Sequence, residues 1–115
     1  MKTTLITLLT VFCMAMCREN DDPTGSELRD DAMLYPNGLA YDGCEPNVAL
    51  NWNDPNKIVR YAPDAESVAL VENFVGKEPQ KQGNIIYKFT GRKKTVQCGW
   101  GAKFEADEIT VVSIR

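Results

Sequence analysis

Few side chains in this 115-residue sequence could catalyse a reaction. Histidine is absent, which removes the commonest general base and the commonest metal ligand. None of the three serines stands in the Gly-x-Ser-x-Gly pattern that positions a serine nucleophile. The carboxylate pairs Asp64/Glu66 and Asp107/Glu108 could hydrolyse a glycoside, although chance proximity in an acidic chain explains them at least as well. We therefore predict that the protein is not an enzyme and uses no cofactor.

Acidic residues could instead bind calcium. Asp21, Asp22, Asp30 and Asp31 supply carboxylates, but they lack the ligand spacing and the glycine of a calcium-binding loop. The segment 51–62 has asparagine and alanine where such a loop has its glycine and its final glutamate. We therefore predict no metal site.

The four cysteines support a different chemistry, because a thiol can carry a lipid or form a disulfide bond. Two of them lie near the start of the chain, where Met1-Lys2 precedes an uncharged run over residues 3–16. This run has the layout of a secretory signal and is shorter than the ~20 residues that a membrane-spanning helix needs. Cys13 lies inside the predicted signal peptide, residues 1–17, and Cys17 ends it.

The end of the signal peptide leaves three outcomes open. A lipoprotein signal peptidase could cut before Cys17, an ordinary signal peptidase could cut after it, or the segment could remain as an uncleaved anchor. The preceding residues, Met14-Ala15-Met16, resemble the lipobox of bacterial lipoproteins, which has leucine, a small residue, glycine or alanine, and then cysteine. Ala15 fits that pattern and Met16 departs from it. We predict that Cys17 carries the lipid, palmitate included, and that the protein is a membrane-attached lipoprotein.

Cys44 and Cys98 remain as an even pair outside the predicted signal peptide. Exported proteins meet an oxidising compartment, and small exported domains often need a covalent staple because their cores are small. We predict a disulfide bond between these two residues, worth ~4 kcal/mol of stability on the chain-entropy account.

Residues 18–38 are predicted to form a flexible acidic tether before a folded domain over residues 39–115. Six acidic residues, two prolines and two glycines occupy this stretch, a composition that disfavours a packed structure. Without residues 1–17 the chain has 12 basic residues (the 13 of the whole sequence less Lys2) against 16 acidic ones. This negative balance disfavours nucleic acid as a partner.

Alternation of apolar and polar residues predicts that the folded domain is mainly β. The pattern favours strands near 45–52, 57–61, 84–90, 95–100 and 108–114. A hairpin turn is predicted at Gly91–Lys94, and Asp64 could cap one short helix. These elements suggest a small antiparallel barrel, OB-like, with five to six strands and at most one short helix.

Five short segments of the domain carry a resemblance to a known group. They are Asp42-Gly43-Cys44, Arg60-Tyr61-Ala62-Pro63, Gly83 with the Tyr/Phe strand after it, Gln97-Cys98-Gly99 and the terminal Ile-Thr-Val-Val-Ser-Ile. In this order they resemble small uncharacterised Bacteroidota lipoproteins, and the acidic residues after Cys17 resemble those associated in that group with export to the cell surface. The resemblance implies an OB-like barrel on a lipid anchor and no established activity.

Two features are candidates for binding a partner. One is a basic cluster at the predicted hairpin, Lys88, Arg92, Lys93 and Lys94, which could equally be a solvated turn. The other is Trp100, which stands between two glycines and is predicted to lie on the surface. We expect the second tryptophan, Trp52, to belong to the core.

These observations predict a non-enzymatic lipoprotein of the bacterial cell envelope with a disulfide-stapled binding or accessory domain. Its location would be the outer membrane, on the periplasmic face or the cell surface. We expect a monomer that attaches to the membrane through its lipid and binds an envelope protein or a glycan. The alternative is an inhibitor or immunity lipoprotein that blocks a toxin or hydrolase, with the Lys88–Lys94 or Gly99–Gly101 segment as its plug.

Overall fold

The computed structural model describes residues 26–115 as a closed barrel of five strands with one α-helix. The strands are β1 (Leu28–Tyr35), β2 (Asn47–Leu50), β3 (Val59–Pro63), β4 (Lys81–Gln97) and β5 (Lys103–Ile114), and helix α1 is Ala65–Val75. Neighbouring strands follow the order β1-β2-β3-β5-β4, and β4 closes the barrel against β1. The predicted small OB-like barrel with one short helix is confirmed. The predicted signal peptide, Cys17 and the tether up to residue 25 lie outside the described residues.

One strand pair departs from the predicted antiparallel arrangement. β3 runs parallel to β5, with Tyr61 opposite Asp107 and Pro63 opposite Ile109. The chain leaves β3 through α1 and passes along the whole of β4 before β5 begins, so the two strands enter the sheet in the same direction. A parallel pair needs such a crossover connection.

The prediction that residues 18–38 are a tether is wrong over residues 28–35, which form β1. This strand is hydrogen-bonded to β2 on one side and to β4 on the other. Ala32 and Leu34 are fully buried, whereas Asp31 is exposed to solvent. A strand with one face in water needs few apolar residues, and the charged run Arg29-Asp30-Asp31 gives this strand the composition of a linker.

The predicted hairpin turn at Gly91–Lys94 is also wrong, because these four residues lie within β4, a strand of 17 residues. Phe89 pairs with Ile109 and Lys93 with Asp107, so three residues of β4 lie opposite Glu108 alone. The extra residues form a bulge in which Gly91 takes a φ of 84°. The bulge bends β4 around the barrel, and the chain reverses only at Gly99–Gly101.

Helix α1 begins as the sequence predicts. Asp64 is its N-cap and accepts a hydrogen bond from the Ser67 backbone N–H at 3.0 Å. Ser67 is itself buried, and its hydroxyl oxygen accepts a 2.7 Å hydrogen bond from the Val111 N–H of β5. Val71 and Val75 continue the same buried face, so α1 covers the barrel. Within residues 26–115, no helix is long and apolar enough to cross a bilayer.

The main core fills the barrel and the space beneath α1. Its buried members are Ala32, Leu34, Val48, Leu50, Val71, Val75, Ile85, Tyr87, Ile109 and Val111. A smaller cluster of Ala62, Val96 and Ala106 packs with Cys44 and Phe104. Trp52, predicted to be a core residue, is half-buried and belongs to neither cluster. The positive φ of 54° at Asn51 turns the chain out of β2 one residue earlier and ends the alternation that the prediction extended to Trp52.

The start of β1 and the end of β5 pair with the same part of β4. Ile86 is opposite Arg29 of β1 on one side and opposite Ser113 of β5 on the other. From this end, β1 runs seven residue steps to Tyr35, a distance of roughly 23 Å. The connection between β1 and β2 therefore lies at the far end of β1 from the start of the domain.

Candidate binding surface

The predicted disulfide bond is present and joins two loops. Cys44 lies in the connection from β1 to β2, residues 36–46, and Cys98 begins the connection from β4 to β5, residues 98–102. Their sulfur atoms are 2.01 Å apart although the residues are separated by 54 positions. We call these two connections the loop pair. In OB-like barrels the corresponding loops flank the face that binds ligands.

Backbone contacts hold the loop pair together next to the disulfide. The Gly99 N–H donates to the Gly43 carbonyl at 2.7 Å, and the Glu45 N–H donates to the Gln97 carbonyl at 2.8 Å. A Cβ on Gly99 would lie 2.6 Å from the Cα of Asp42, a distance that real structures do not tolerate. Glycine at position 99 is therefore what allows the two backbones to touch.

Each loop presents one exposed aromatic side chain on a tight turn. Tyr41 ends the turn Leu39–Tyr41 and is 88% exposed, while Trp100 is at the centre of Gly99–Gly101 and is 89% exposed. Trp100 has a φ of 65°, a left-handed conformation that costs a bulky residue roughly 1–3 kcal/mol. In this conformation, one residue after the Gly99 N–H that donates to Gly43, the indole is in water instead of in the core.

Trp100 is therefore on the surface, as its neighbouring glycines predict. Tyr41 was not singled out from the sequence. The signal available there was an aromatic residue inside a turn-forming segment that runs from Pro36 to Gly43.

A groove of about 350 Å³ lies beneath the loop pair. It is lined by Tyr35, Pro36, Gly38, Gly43, Cys44, Asn47, Arg60, Pro79, Cys98 and Phe104. An adjoining depression of about 580 Å³ shares four of these residues and extends past Tyr41 to the end of α1 at Gly76 and Glu78. Together they form a continuous concave surface beside the exposed aromatic residues. Pockets of this size are typical of small-ligand sites.

The candidate basic cluster lies along β4 and its bulge instead of on a hairpin. Arg92 donates from Nε and Nη2 to the same carboxylate oxygen of Glu108, at 2.9 and 2.7 Å. Glu108 is only 9% exposed, and the Arg92 hydrogen bonds are the main reason that its pKa lies below the usual range. Arg92, whose side chain is 72% exposed, thus covers the Glu108 carboxylate from the solvent side of the barrel.

Two of the remaining three basic side chains also contact other groups of the barrel. Lys93 forms an ion pair with Asp107 at 3.2 Å, and the Lys94 ammonium donates to the Pro63 carbonyl at 2.9 Å. Lys88 is half-buried. Three of the four basic groups in this cluster therefore contact the barrel itself, and we do not place the binding surface there.

Two of the four candidate catalytic carboxylates, Asp64 and Glu108, have structural contacts. Burial raises the pKa of Asp64, but hydrogen bonds from Thr110 and Ser67 outweigh it and hold the pKa below the usual value. Glu108 is also held in its ionised form, by Arg92. A glycosidase needs one carboxyl group with a raised pKa as its general acid, and neither of these two groups has one.

The acidic residues of β1 that were considered for calcium bind side chains of β4. Asp30 accepts a 2.6 Å hydrogen bond from the Tyr87 hydroxyl, and Asp31 accepts one from Asn84 at 3.0 Å. Burial, followed by this hydrogen bond, raises the pKa of Tyr87. Over residues 26–115, no group of three or more acidic or cysteine side chains is placed to hold a metal ion. Asp21 and Asp22 lie outside the described residues.

Comparison of the chain with protein-family models, curated proteins and solved structures found no match. The resemblance to small Bacteroidota lipoproteins therefore stays a prediction from the sequence.

Proposed function

We propose that the protein is a non-enzymatic, lipid-anchored binding module of the bacterial cell envelope whose ligand binds at the loop pair. The observation that carries the proposal is the exposure of Tyr41 and Trp100 on two loops that are cross-linked to each other. Tyrosine and tryptophan combine a large apolar face with one polar group, and they dominate the energetics of many interfaces. Placing both in water on rigid turns has no benefit for the core.

The cross-link supports a binding role for a second reason. A flexible loop loses conformational entropy when it orders around a ligand, and this loss weakens binding. The disulfide and the two backbone hydrogen bonds beside it order the loop pair before any ligand arrives. Affinity at this surface would therefore depend mainly on the contacts themselves.

The direction of β1 is consistent with attachment through Cys17. Ten residues, 18–27, separate that cysteine from Leu28 and could span at most about 35 Å. The loop pair lies at the other end of β1, so a lipid at Cys17 would leave it facing away from the membrane. A monomer in this orientation could reach an envelope protein or a glycan.

The two tryptophans allow a direct test of binding. Trp52→Phe leaves Trp100 as the sole indole, and the matched variant Trp100→Phe leaves Trp52 outside the loop pair. Each purified variant would be titrated with envelope extract separated into protein, glycan and small-molecule fractions while emission and anisotropy are recorded. We expect one fraction to change the signal of Trp100 and not that of Trp52. If no fraction changes the Trp100 signal, the proposed binding surface is wrong.

The anchor has its own test. We expect Cys17→Ala to move the protein from the membrane fraction to the soluble fraction, with Cys13→Ala as the matched control that stays with the membrane. A Cys17→Ala protein that remains in the membrane fraction would remove the basis for lipidation at that position.

Inhibition of a toxin or hydrolase is the second candidate function. The observation that favours it is Trp100 itself, an exposed indole at the tip of a short cross-linked loop, which is a shape suited to plugging a cleft. Lysis assays with envelope hydrolases would test it, because an inhibitor should lose potency in Trp100→Ala. Undiminished lysis at saturating wild-type protein would count against this function.

A further inference from the structure

One wall of the groove beneath the loop pair carries a guanidinium group, that of the solvent-exposed Arg60, among mostly apolar lining residues. Arg60 of β3 places its guanidinium over the Tyr35 ring, 5.3 Å from the ring centre. Its Nη1 donates to the side-chain oxygen of Asn47 at 3.0 Å. Stacking and this hydrogen bond hold the group in one orientation, and only one of its five N–H donors is used by Asn47.

Arg60 has no acidic partner among the described residues. The two ion pairs within residues 26–115 join Arg92 to Glu108 and Lys93 to Asp107. Glu45, the acidic residue nearest to Asn47 in the sequence, accepts the Gln97 N–H at 2.8 Å instead. In a chain with more acidic than basic residues, an oriented arginine without a carboxylate partner is available for an anion from outside.

The walls of the groove are suited to a ring. Tyr35 and Phe104 contribute aromatic faces, Pro36 and Pro79 contribute flat apolar ones, and the two cysteines contribute polarisable sulfur. The volume of about 350 Å³ is at the small end of the range for ligand pockets. A ligand that fills it would have an apolar, planar body and one anionic group.

The closed barrel argues for a small molecule over a peptide. Peptides often bind sheets by adding a strand to an open edge. Here every one of the five strands pairs on both sides, in the order β1-β2-β3-β5-β4 and back to β1. The strand residues that line the groove are already paired there, Tyr35 with Asn47 and Phe104 with Val96.

We propose that this groove binds a small aromatic carboxylic acid, with the carboxylate on Arg60 and the ring between Tyr35 and Phe104. This inference rests on the proposed function, because it names the ligand class of the same surface. Arginine suits the task because its planar fork can donate two parallel hydrogen bonds to one carboxylate.

The test uses 2-naphthoate as the probe and 2-naphthamide as its uncharged counterpart, titrated into the full-length protein by calorimetry and ligand-observed NMR. We expect 2-naphthoate to bind and 2-naphthamide to bind at least about tenfold more weakly, because a hydrogen bond to a charged group contributes about 1.5–3 kcal/mol. Arg60→Gln should weaken 2-naphthoate by a similar factor, and Arg60→Lys by less. Arg29→Gln, an exposed arginine at the other end of β1, is the matched control and should bind as the wild type does.

Circular dichroism and the intact disulfide would show that each variant is folded. Equal binding of 2-naphthoate and 2-naphthamide, or full affinity in a folded Arg60→Gln variant, would overturn the proposal. Tighter binding of a hexapeptide ending in phenylalanine would assign the groove to a peptide C-terminus and would overturn it as well. If 2-naphthoate fails to bind while an envelope fraction still changes Trp100 emission, this inference fails and the proposed function stands.

Discussion

Replacing Cys44 and Cys98 by alanine would remove the cross-link of the loop pair while leaving its backbone hydrogen bonds in place. The main core would be unchanged, because neither cysteine belongs to it. The expected loss of stability therefore comes mostly from the unfolded chain, which the disulfide prevents from separating two residues 54 positions apart.

The separation sets the magnitude of the effect. For a closed loop of 54 residues, the chain-entropy relation gives about 14 cal/mol/K, which is about 4 kcal/mol at 25 °C. In a domain of this size that loss should lower the melting temperature by roughly 15–30 °C. Guanidinium unfolding followed by tryptophan fluorescence would measure it. The denaturant slope should also rise, because the unfolded state without the cross-link exposes more surface.

Wild-type protein unfolded in the presence of dithiothreitol is the control and should match the double alanine variant. A loss below about 1 kcal/mol, with an unchanged denaturant slope, would refute the chain-entropy reasoning. It would mean that the backbone contacts of the loop pair, or residual structure in the unfolded chain, already hold the two segments together.

Three further substitutions test single side chains, each by urea unfolding. Asp64→Ala removes the cap of α1 and should cost about 1–2 kcal/mol, while Asp64→Asn retains a capping group and should cost less. Arg92→Ala deprives the Glu108 carboxylate of two hydrogen bonds and, because the Arg92 side chain is 72% exposed, should cost about 1 kcal/mol at neutral pH. Because the pKa of Glu108 is lowered in the folded state, the ionised carboxylate stabilises the fold above its unfolded-state pKa, and this stability is lost as the pH falls through the folded-state pKa. If Arg92→Ala loses as much stability on acidification as the wild type does, this account of Glu108 is contradicted. Gly99→Ala should cost roughly 1–3 kcal/mol through its backbone clash, and more than Gly101→Ala, which has open space but a φ of 76°; equal losses would argue against the close approach of the loops.

The sequence predicts those elements in which buried and exposed residues recur at the short, regular spacing of a strand or a helix. The alternation of Val48 and Leu50 marks β2, and Asp64 before a segment with Val71 and Val75 marks α1. The local pattern does not mark β1, because only Ala32 and Leu34 are fully buried in it and the charged run Arg29-Asp30-Asp31 dominates its composition.

The bulge in β4 shows a different limit of local pattern. Gly91 takes a positive φ, which both a hairpin turn and a bulge require. What decides between them is the partner strand, because β5 continues to pair with β4 from Phe89 to Gln97. That pairing joins residues far apart in the sequence, and no short window contains it.

Some features of the candidate site can be predicted from local sequence, and others depend on how the barrel closes. The disulfide followed from counting thiols, and the exposure of Trp100 followed from the glycines around it. Tyr41 carries only the weaker signal of an aromatic residue in a turn-forming segment. Arg60 carries none, because it becomes part of the site only when the barrel closes. The groove joins β1, β3 and the two loops, and their meeting is a property of the topology.

The position of Ile86 between the first and last strands has a consequence for protein engineering. Arg29 and Ser113 are its neighbours on either side, so they are two strand spacings apart, about 10 Å. A linker of roughly four residues would cover that distance and join Arg115 to Leu28. New termini in the exposed connection between β2 and β3, residues 51–58, would then give a circular permutant with every strand pair retained. Such a permutant would move the free termini to residues 51–58 and leave the disulfide-linked loops untouched at the far end of β1 from the new linker.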